Sequence, residues 1–96
     1  MTSIFTKESD RLFQALLSLK TPEEYRLFFE DLCTVGEIHA LAQRFQVAGM
    51  LKDKKNYQEI AAATGASSAT ISRVNRCLRY GSGGYTMALE RSNDAD

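Results

Sequence analysis

Helix-start signals recur along the chain, and they constrain its fold more than any other feature. Thr21, Thr34 and Asn56 are each followed three residues later by a glutamate. This spacing is typical of a capping box, in which the first side chain accepts a helix amide and the glutamate reaches back to the cap. Between these signals apolar residues recur at helical spacing, and no stretch alternates in the manner of a strand. The sequence therefore predicts an all-α fold.

The apolar residues group into five predicted helices within residues 7–80. Each has an apolar stripe that a neighbouring element must cover. The predicted helices are Lys7–Leu19, one beginning at Pro22, one beginning after Thr34, Tyr57–Thr64, and one from Ser67 or Ser68 to about Tyr80. The segment from Gly81 onward is rich in glycine and then polar, so we expect partial order at best near its end.

The third predicted helix is apolar along more than one edge. One stripe holds Ile38, Leu41, Ala42, Phe45 and Ala48, and a second edge holds Val47, Met50 and Leu51. A chain of 96 residues buries a lower fraction of its surface than a larger protein does, so we expect that it cannot cover such a helix alone. We therefore expect a second copy of the chain to pack against it.

A helix-turn-helix is predicted where the fourth helix meets the fifth. Gly65 lies between them and can adopt the left-handed conformation of a tight turn. Ile60 and Ile71 are expected to face each other, with Val74 completing the buried side. A helical hairpin within an all-α core is the alternative interpretation. The polar face that remains on the last predicted helix favours the helix-turn-helix.

The charge distribution points to an anionic partner. Residues 52–80 hold six basic and two acidic side chains, although the whole chain has twelve of each. Such a basic segment is typical of nucleic-acid binding, with a solvated helix face as the alternative. Small polar residues suit base edges and arginines suit phosphates. The predicted DNA contacts are Ser67, Ser68, Ala69, Thr70, Ser72, Arg73, Arg76, Lys54 and Lys55.

Two segments resemble a known family. LCTVGEIHALAQRF and YQEIAAATGASSATISRVNRCLRYGSGGY are similar to the YerC/YecD-type branch of the Trp repressor family, over roughly residues 32–85. The resemblance implies an intertwined helical homodimer that presents two helix-turn-helix units to successive major grooves. On this basis we divide the single domain into dimerisation helices (1–52), the helix-turn-helix (53–80) and a C-terminal tail (81–96). It also implies a bacterial, cytoplasmic transcription regulator that binds a palindromic operator. Repression is the mode of action that the resemblance implies.

The resemblance also carries a candidate effector site. The Trp repressor binds L-tryptophan between its central and recognition helices, framed by one arginine from each. Arg44 and Arg73 stand at the matching positions, and Thr34 matches a threonine that lines the pocket. Val74 replaces a glycine beside the ligand, and Cys77 replaces a serine. The added volume argues against L-tryptophan and leaves another small co-effector open.

Other classes of function find less support. A helical module that contacts protein instead of DNA is the main alternative. An enzyme is a weaker one, because the sequence shows no cluster of acid, base and nucleophile. One histidine and two distant cysteines predict no metal site, and no cofactor is expected. The apolar runs are too short to predict a membrane span, so membrane partners are not expected.

Overall fold

The computed structural model describes residues 3–93 and consists of helices. No strand occurs in this part of the chain, so the predicted all-α class is confirmed. The helices are α1 (Lys7–Ser18), α2 (Pro22–Leu32), α3 (Val35–Lys52), α4 (Tyr57–Thr64), α5 (Ser68–Tyr80) and α6 (Gly84–Asn93).

The predicted capping residues begin their helices. The amide of Thr34 donates to Glu37 Oε1 at 2.8 Å, and the amide of Glu37 donates to Thr34 Oγ1 at 3.1 Å. The capping box of Asn56 at the start of α4 forms in the same reciprocal way. At α2 the Thr21 cap is present, but Glu24 accepts the amide of Lys20 at 2.7 Å instead of the cap amide that we expected.

The chain divides into two compact units, the first ending at Ile38. The first unit contains α1, α2 and the beginning of α3. The hydroxyl of Tyr25 donates to the carbonyl of Leu16 at 3.2 Å and so ties α2 to α1. Within the described part of this unit no side chain is fully buried. Its apolar stripes are therefore left largely uncovered by the unit's own residues.

The second unit, from His39 onward, holds the buried core. Side chains from α3, α4, the turn after α4, and α5 form one buried cluster: Val47, Ala48, Ile60, Ala66, Ile71 and Val74. Burial of a large aliphatic side chain contributes about 1.5–3 kcal/mol, so these residues dominate the stability of the unit. The cluster joins the predicted helix-turn-helix to the second half of α3.

Three features of the structure were not predicted from the sequence. Residues 84–93, which we assigned to the C-terminal tail without predicting a helix, form α6. Residues 94–96, the end of the tail where we expected partial order at best, lie outside the described part. On α3 the main stripe supplies the buried Ala48 and the second edge supplies the buried Val47, whereas Leu41 and Phe45 of the main stripe are exposed in the single chain. The side chain of Cys33 is half-buried, and that of Cys77 is exposed.

Candidate nucleic-acid interface

The turn between α4 and α5 is built by local hydrogen bonds. Gly65 has φ +73°, and its amide donates to the carbonyl of Ala61 at 2.9 Å. Thr64 Oγ1 donates to the carbonyl of Ile60 at 2.8 Å and accepts the amide of Ala66 at 3.1 Å. Gln43 Nε2 of α3 donates to the carbonyl of Thr64 at 3.1 Å. The turn is thus bonded both within itself and to α3.

Buried side chains determine which face of α5 is exposed. Ile71 and Val74 lie in the buried cluster together with Ile60 of α4, as the sequence predicted. Because α5 has 3.6 residues per turn, burying this side leaves the opposite side in solvent. The predicted contacts that are exposed on α5 or at its start are Ser67, Ser68, Ala69, Ser72, Arg73 and Arg76.

Thr70 differs from the other predicted contacts because it is half-buried. Its amide donates to Ser67 Oγ at 3.1 Å, and the two hydroxyls are 3.1 Å apart. Ser67 and Thr70 therefore take part in capping α5. Among the hydroxyls of this helix, those of Ser68 and Ser72 are left more accessible.

The electrostatics of α5 suit an anion. The first turn of α5 contains no acidic residue. Arg73 and Arg76 are exposed, and within residues 3–93 neither forms an ion pair or a side-chain hydrogen bond. Being three residues apart, they share one side of the helix. Their guanidinium groups are therefore available to an external partner.

Lys54 and Lys55 lie in the connection between α3 and α4 and are exposed. Lys54 has φ +64°, the left-handed region that favours glycine. The amides of Lys54 and Lys55 donate to the carbonyls of Leu51 and Met50, each at 3.0 Å, and so close the end of α3. This bonding pattern is a Schellman motif with lysine at the position that usually holds glycine.

Two further basic residues behave differently from the predicted contacts. Arg79 is exposed on α5, and its Nε donates to Asn75 Oδ1 at 3.3 Å. We did not predict it as a contact, although the three-residue spacing from Arg73 through Arg76 was a signal for it. Lys52 Nζ lies 3.3 Å from Glu90 Oε1 of α6, so its charge is already paired.

The candidate effector residues are distributed over several elements. Arg44 is half-buried on α3, and Arg73 and Cys77 are exposed on α5. No ion pair of Arg44 occurs in the described part of the chain. Thr34 precedes α3, and both its amide and its hydroxyl serve the capping box with Glu37. The hydrogen bond from the Thr34 amide to the Glu37 carboxylate, and secondarily the Thr34 side chain, hold the pKa of Glu37 below its ordinary value.

Residues 3–93 contain no cluster typical of a metal site and no helix suited to span a membrane. No group of three or more histidine, cysteine, aspartate or glutamate side chains is arranged there to hold a metal ion. None of the helices in this range combines the length and the apolar character needed to cross a bilayer. The arrangement that remains is a basic, polar helix face presented by a short two-helix unit.

Comparison with known proteins identifies a family to which the chain is similar. The profile of the Trp repressor protein family matches residues 7–93. The uncharacterized protein YerC of Bacillus subtilis (strain 168) is 54% identical over 90 residues, covering 94% of this chain and 86% of YerC. A Trp operon repressor homolog of Chlamydia caviae is 36% identical over 62 residues, covering 64% of this chain and 61% of that protein.

A solved structure confirms the fold. The crystal structure of a TrpR-like protein from Eubacterium eligens ATCC 27750 superimposes with a TM-score of 0.89 at 55% sequence identity. The match covers 92% of this chain and 91% of the other. The predicted Trp-repressor-like all-α fold is therefore confirmed, and the chain belongs to the Trp repressor family.

Proposed function

We propose that this protein is a sequence-specific DNA-binding transcription regulator that acts as a homodimer and represses from a palindromic operator. The observation that carries the proposal is the exposed face of α5, where Arg73 and Arg76 have no acidic partner within the described residues. Membership of the Trp repressor family supports it. Its site of action would be the cytoplasm, where bacterial DNA lies.

The proposed division of labour follows from side-chain chemistry. The residues that would bind phosphates are Arg73, Arg76, Lys54 and Lys55. Their side chains are long, exposed and positively charged, and contacts to phosphate do not depend on the base sequence. The start of α5, including Ser68, Ala69, Thr70 and Ser72, would contact base edges, because small side chains allow the backbone to approach the groove. Ser67 would act through its cap of α5.

The first unit supplies the argument for a homodimer. Its α2 and the beginning of α3 line an open apolar groove of about 460 Å³, with Tyr25, Phe29 and Ile38 among its walls. Leu17 of α1 is 75% exposed and Val35 is 69% exposed. The described residues of a single chain leave these surfaces exposed. Residues 1–52 of a second copy would cover them.

A salt titration tests the proposal. DNA is first selected from a random pool, and binding of the selected site and of scrambled DNA is then measured against salt concentration. Arg76→Ala should weaken both equally and lower the log–log slope by about one unit per subunit, or two per dimer. Arg11→Ala removes the same charge from the exposed surface of α1 and serves as the control. An equal slope for both variants would contradict an α5 phosphate contact.

The same assay separates sequence readout from phosphate binding. Ser72→Ala should keep the salt slope and lower discrimination by about 1–3 kcal/mol at one base pair of each half-site. If the unmodified protein binds neither DNA, the alternative applies, and α5 contacts a protein.

A small co-effector at Arg44, Arg73, Cys77 and Thr34 stays a prediction, and L-tryptophan is not the expected ligand. Val74 is buried in the cluster of the second unit, so its side chain fills space on the inner side of α5. We therefore expect no calorimetric heat when millimolar L-tryptophan is added. Saturable micromolar binding would show that the valine does not obstruct the ligand.

A further inference from the structure

Helix α6 contacts the elements that hold the DNA-facing helix. Tyr85 and Leu89 of α6 pack against the buried cluster, which includes Ile71 and Val74 of α5. Helices α5 and α6 are also in direct contact. Helix α6 therefore takes part in the packing around the cluster that contains the buried side of α5.

Leu89 approaches α3 at a residue without a side chain. A Cβ added to Gly49 would lie 3.5 Å from Leu89 Cδ2, an ordinary van der Waals contact. A methyl group would fit there, whereas a larger side chain would need the space that Leu89 occupies. Gly49 lies in the last turn of α3, and its lack of a side chain leaves room for Leu89 on this side of the helix. The absence of a side chain at Gly49 thus allows Leu89 of α6 to pack directly against α3.

A second contact orients α6 along α3. Lys52 lies one turn after Gly49, and Glu90 follows Leu89 directly. Lys52 Nζ and Glu90 Oε1 are 3.3 Å apart. Exposed ion pairs contribute little to stability. We therefore attribute the stability of the α3–α6 packing to the apolar contact of Leu89, and to the ion pair only an effect on the direction of α6 along α3.

We infer that α6 is a positioning element for the DNA-facing helix, with Leu89 as its main positioning residue and Gly49 as its seat on α3. Without Leu89 the buried cluster loses its cover on the side of α6, and α5 can take more orientations. Sequence-specific binding needs one orientation of α5, because base contacts tolerate little displacement. Backbone binding depends mainly on charge and tolerates more. The inference rests on the proposed DNA-binding function for one of its two tests.

The first test is amide hydrogen exchange and needs no DNA. Leu89→Ala removes the contact with the cluster, and Leu89→Val is a milder form should the first variant fold poorly. Met87→Ala shortens an exposed side chain of the same helix and is the control. Leu89 variants should lower protection of the α5 amides roughly tenfold more than that of the α1 and α2 amides. Equal loss in all helices would overturn the inference, because it would indicate global destabilisation only.

The second test compares selected and scrambled DNA under conditions where every variant is fully folded. Leu89→Ala should lower the ratio of the two affinities roughly tenfold and leave the salt slope unchanged. Met87→Ala should change neither. If Leu89→Ala still binds DNA and its ratio of affinities for selected and scrambled DNA is unchanged, the inference is overturned. If the unmodified protein binds no DNA, the proposed function fails, and the exchange experiment still decides whether α6 positions α5.

Substitutions at Gly49 provide an independent check from the other side of the contact. Gly49→Ala should keep the affinity ratio and the protection of α5, because its Cβ fits against Leu89. Gly49→Leu should reduce both in the same way as Leu89→Ala. If Gly49→Leu behaves like Gly49→Ala, α6 is not seated at this residue and the inference is wrong.

Discussion

Lys54 occupies a backbone conformation that usually belongs to glycine. Its φ of +64° closes the end of α3, and its exposed charge stands next to Lys55 before the start of α4. A non-glycine residue in this region costs about 1–2 kcal/mol, which exceeds the entropic cost of glycine of roughly 0.5–1 kcal/mol. At this residue, stability and positive charge thus favour different amino acids.

Lys54→Gly should therefore raise the free energy of unfolding by up to about 1 kcal/mol while weakening DNA binding. The log–log salt slope should fall by about one unit per subunit, because one phosphate contact is lost. Urea unfolding and a salt titration measure the two effects. Lys54→Arg is the control and should leave the slope unchanged. A stabilised variant with unaltered DNA binding would show that this lysine does not contact phosphate.

The pKa of Glu37 is a measure of the capping box at the start of α3. Its pKa lies below the ordinary glutamate value of 4.5, chiefly because the amide of Thr34 donates a hydrogen bond to its carboxylate and secondarily because of the nearby Thr34 side chain. A pKa that is lower in the folded state than in the unfolded state stabilises the folded protein at any pH above the unfolded, ordinary pKa. This stabilisation is lost as the pH falls through the folded pKa. Thr34→Ala should raise the Glu37 pKa, as followed by NMR of the side-chain carboxyl. The rise should be partial, because alanine keeps the amide that is the main cause of the lowered pKa. An unchanged pKa would show that the Thr34 side chain makes no contribution.

At the scale of helices, the passage from α5 to α6 depends on close backbone approach. A Cβ on Gly81 would clash with the carbonyl oxygen of Cys77, and that oxygen also accepts the Gly81 amide at 2.8 Å. The clash is with backbone, so it cannot be relieved by a side-chain rotation. Gly81 thus limits how the last two helices can be joined.

Gly81→Ala should lower the free energy of unfolding by about 1–3 kcal/mol, as overpacking does at tight contacts. Gly84→Ala is the matched control, because nothing lies within 4 Å of a Cβ there and alanine favours the helix that it begins. Chemical unfolding of both variants measures the difference. Equal stability of the two would mean that the turn relaxes without cost.

At the scale of the whole molecule, the uncovered apolar surface of the first unit predicts an obligate homodimer. Its melting temperature should rise with protein concentration, since dissociation accompanies unfolding. Leu17→Asp places a charge on a side chain that is 75% exposed in one chain, and it should lower the melting temperature only if a second copy covers it. Ser18→Asp, on the neighbouring exposed residue, is the control. Light scattering at the monomer mass of 10.7 kDa would contradict the dimer.

Local interactions explain what could be predicted from the sequence. The starts of α2, α3 and α4, the left-handed Gly65 and the buried pair Ile60 and Ile71 all depend on residues close together in the chain. Capping spacing and helical periodicity encode such features directly. The exposed face of α5 follows from the same periodicity once its buried side is known. The all-α class and the two-helix segment of α4, its turn at Gly65 and α5 were therefore determined by the sequence itself.

Long-range packing decided the rest. Residues 84–93 look like a linker, because α6 begins with glycine and has a weak apolar pattern, and its helix is stabilised by packing of Tyr85 and Leu89. The same holds for the buried edge of α3, where Val47 and not Phe45 enters the core. Lys52 meets Glu90 across 38 positions of sequence. No local spacing encodes such contacts, because hydrophobic burial is non-directional and depends on which surfaces the folded chain brings together.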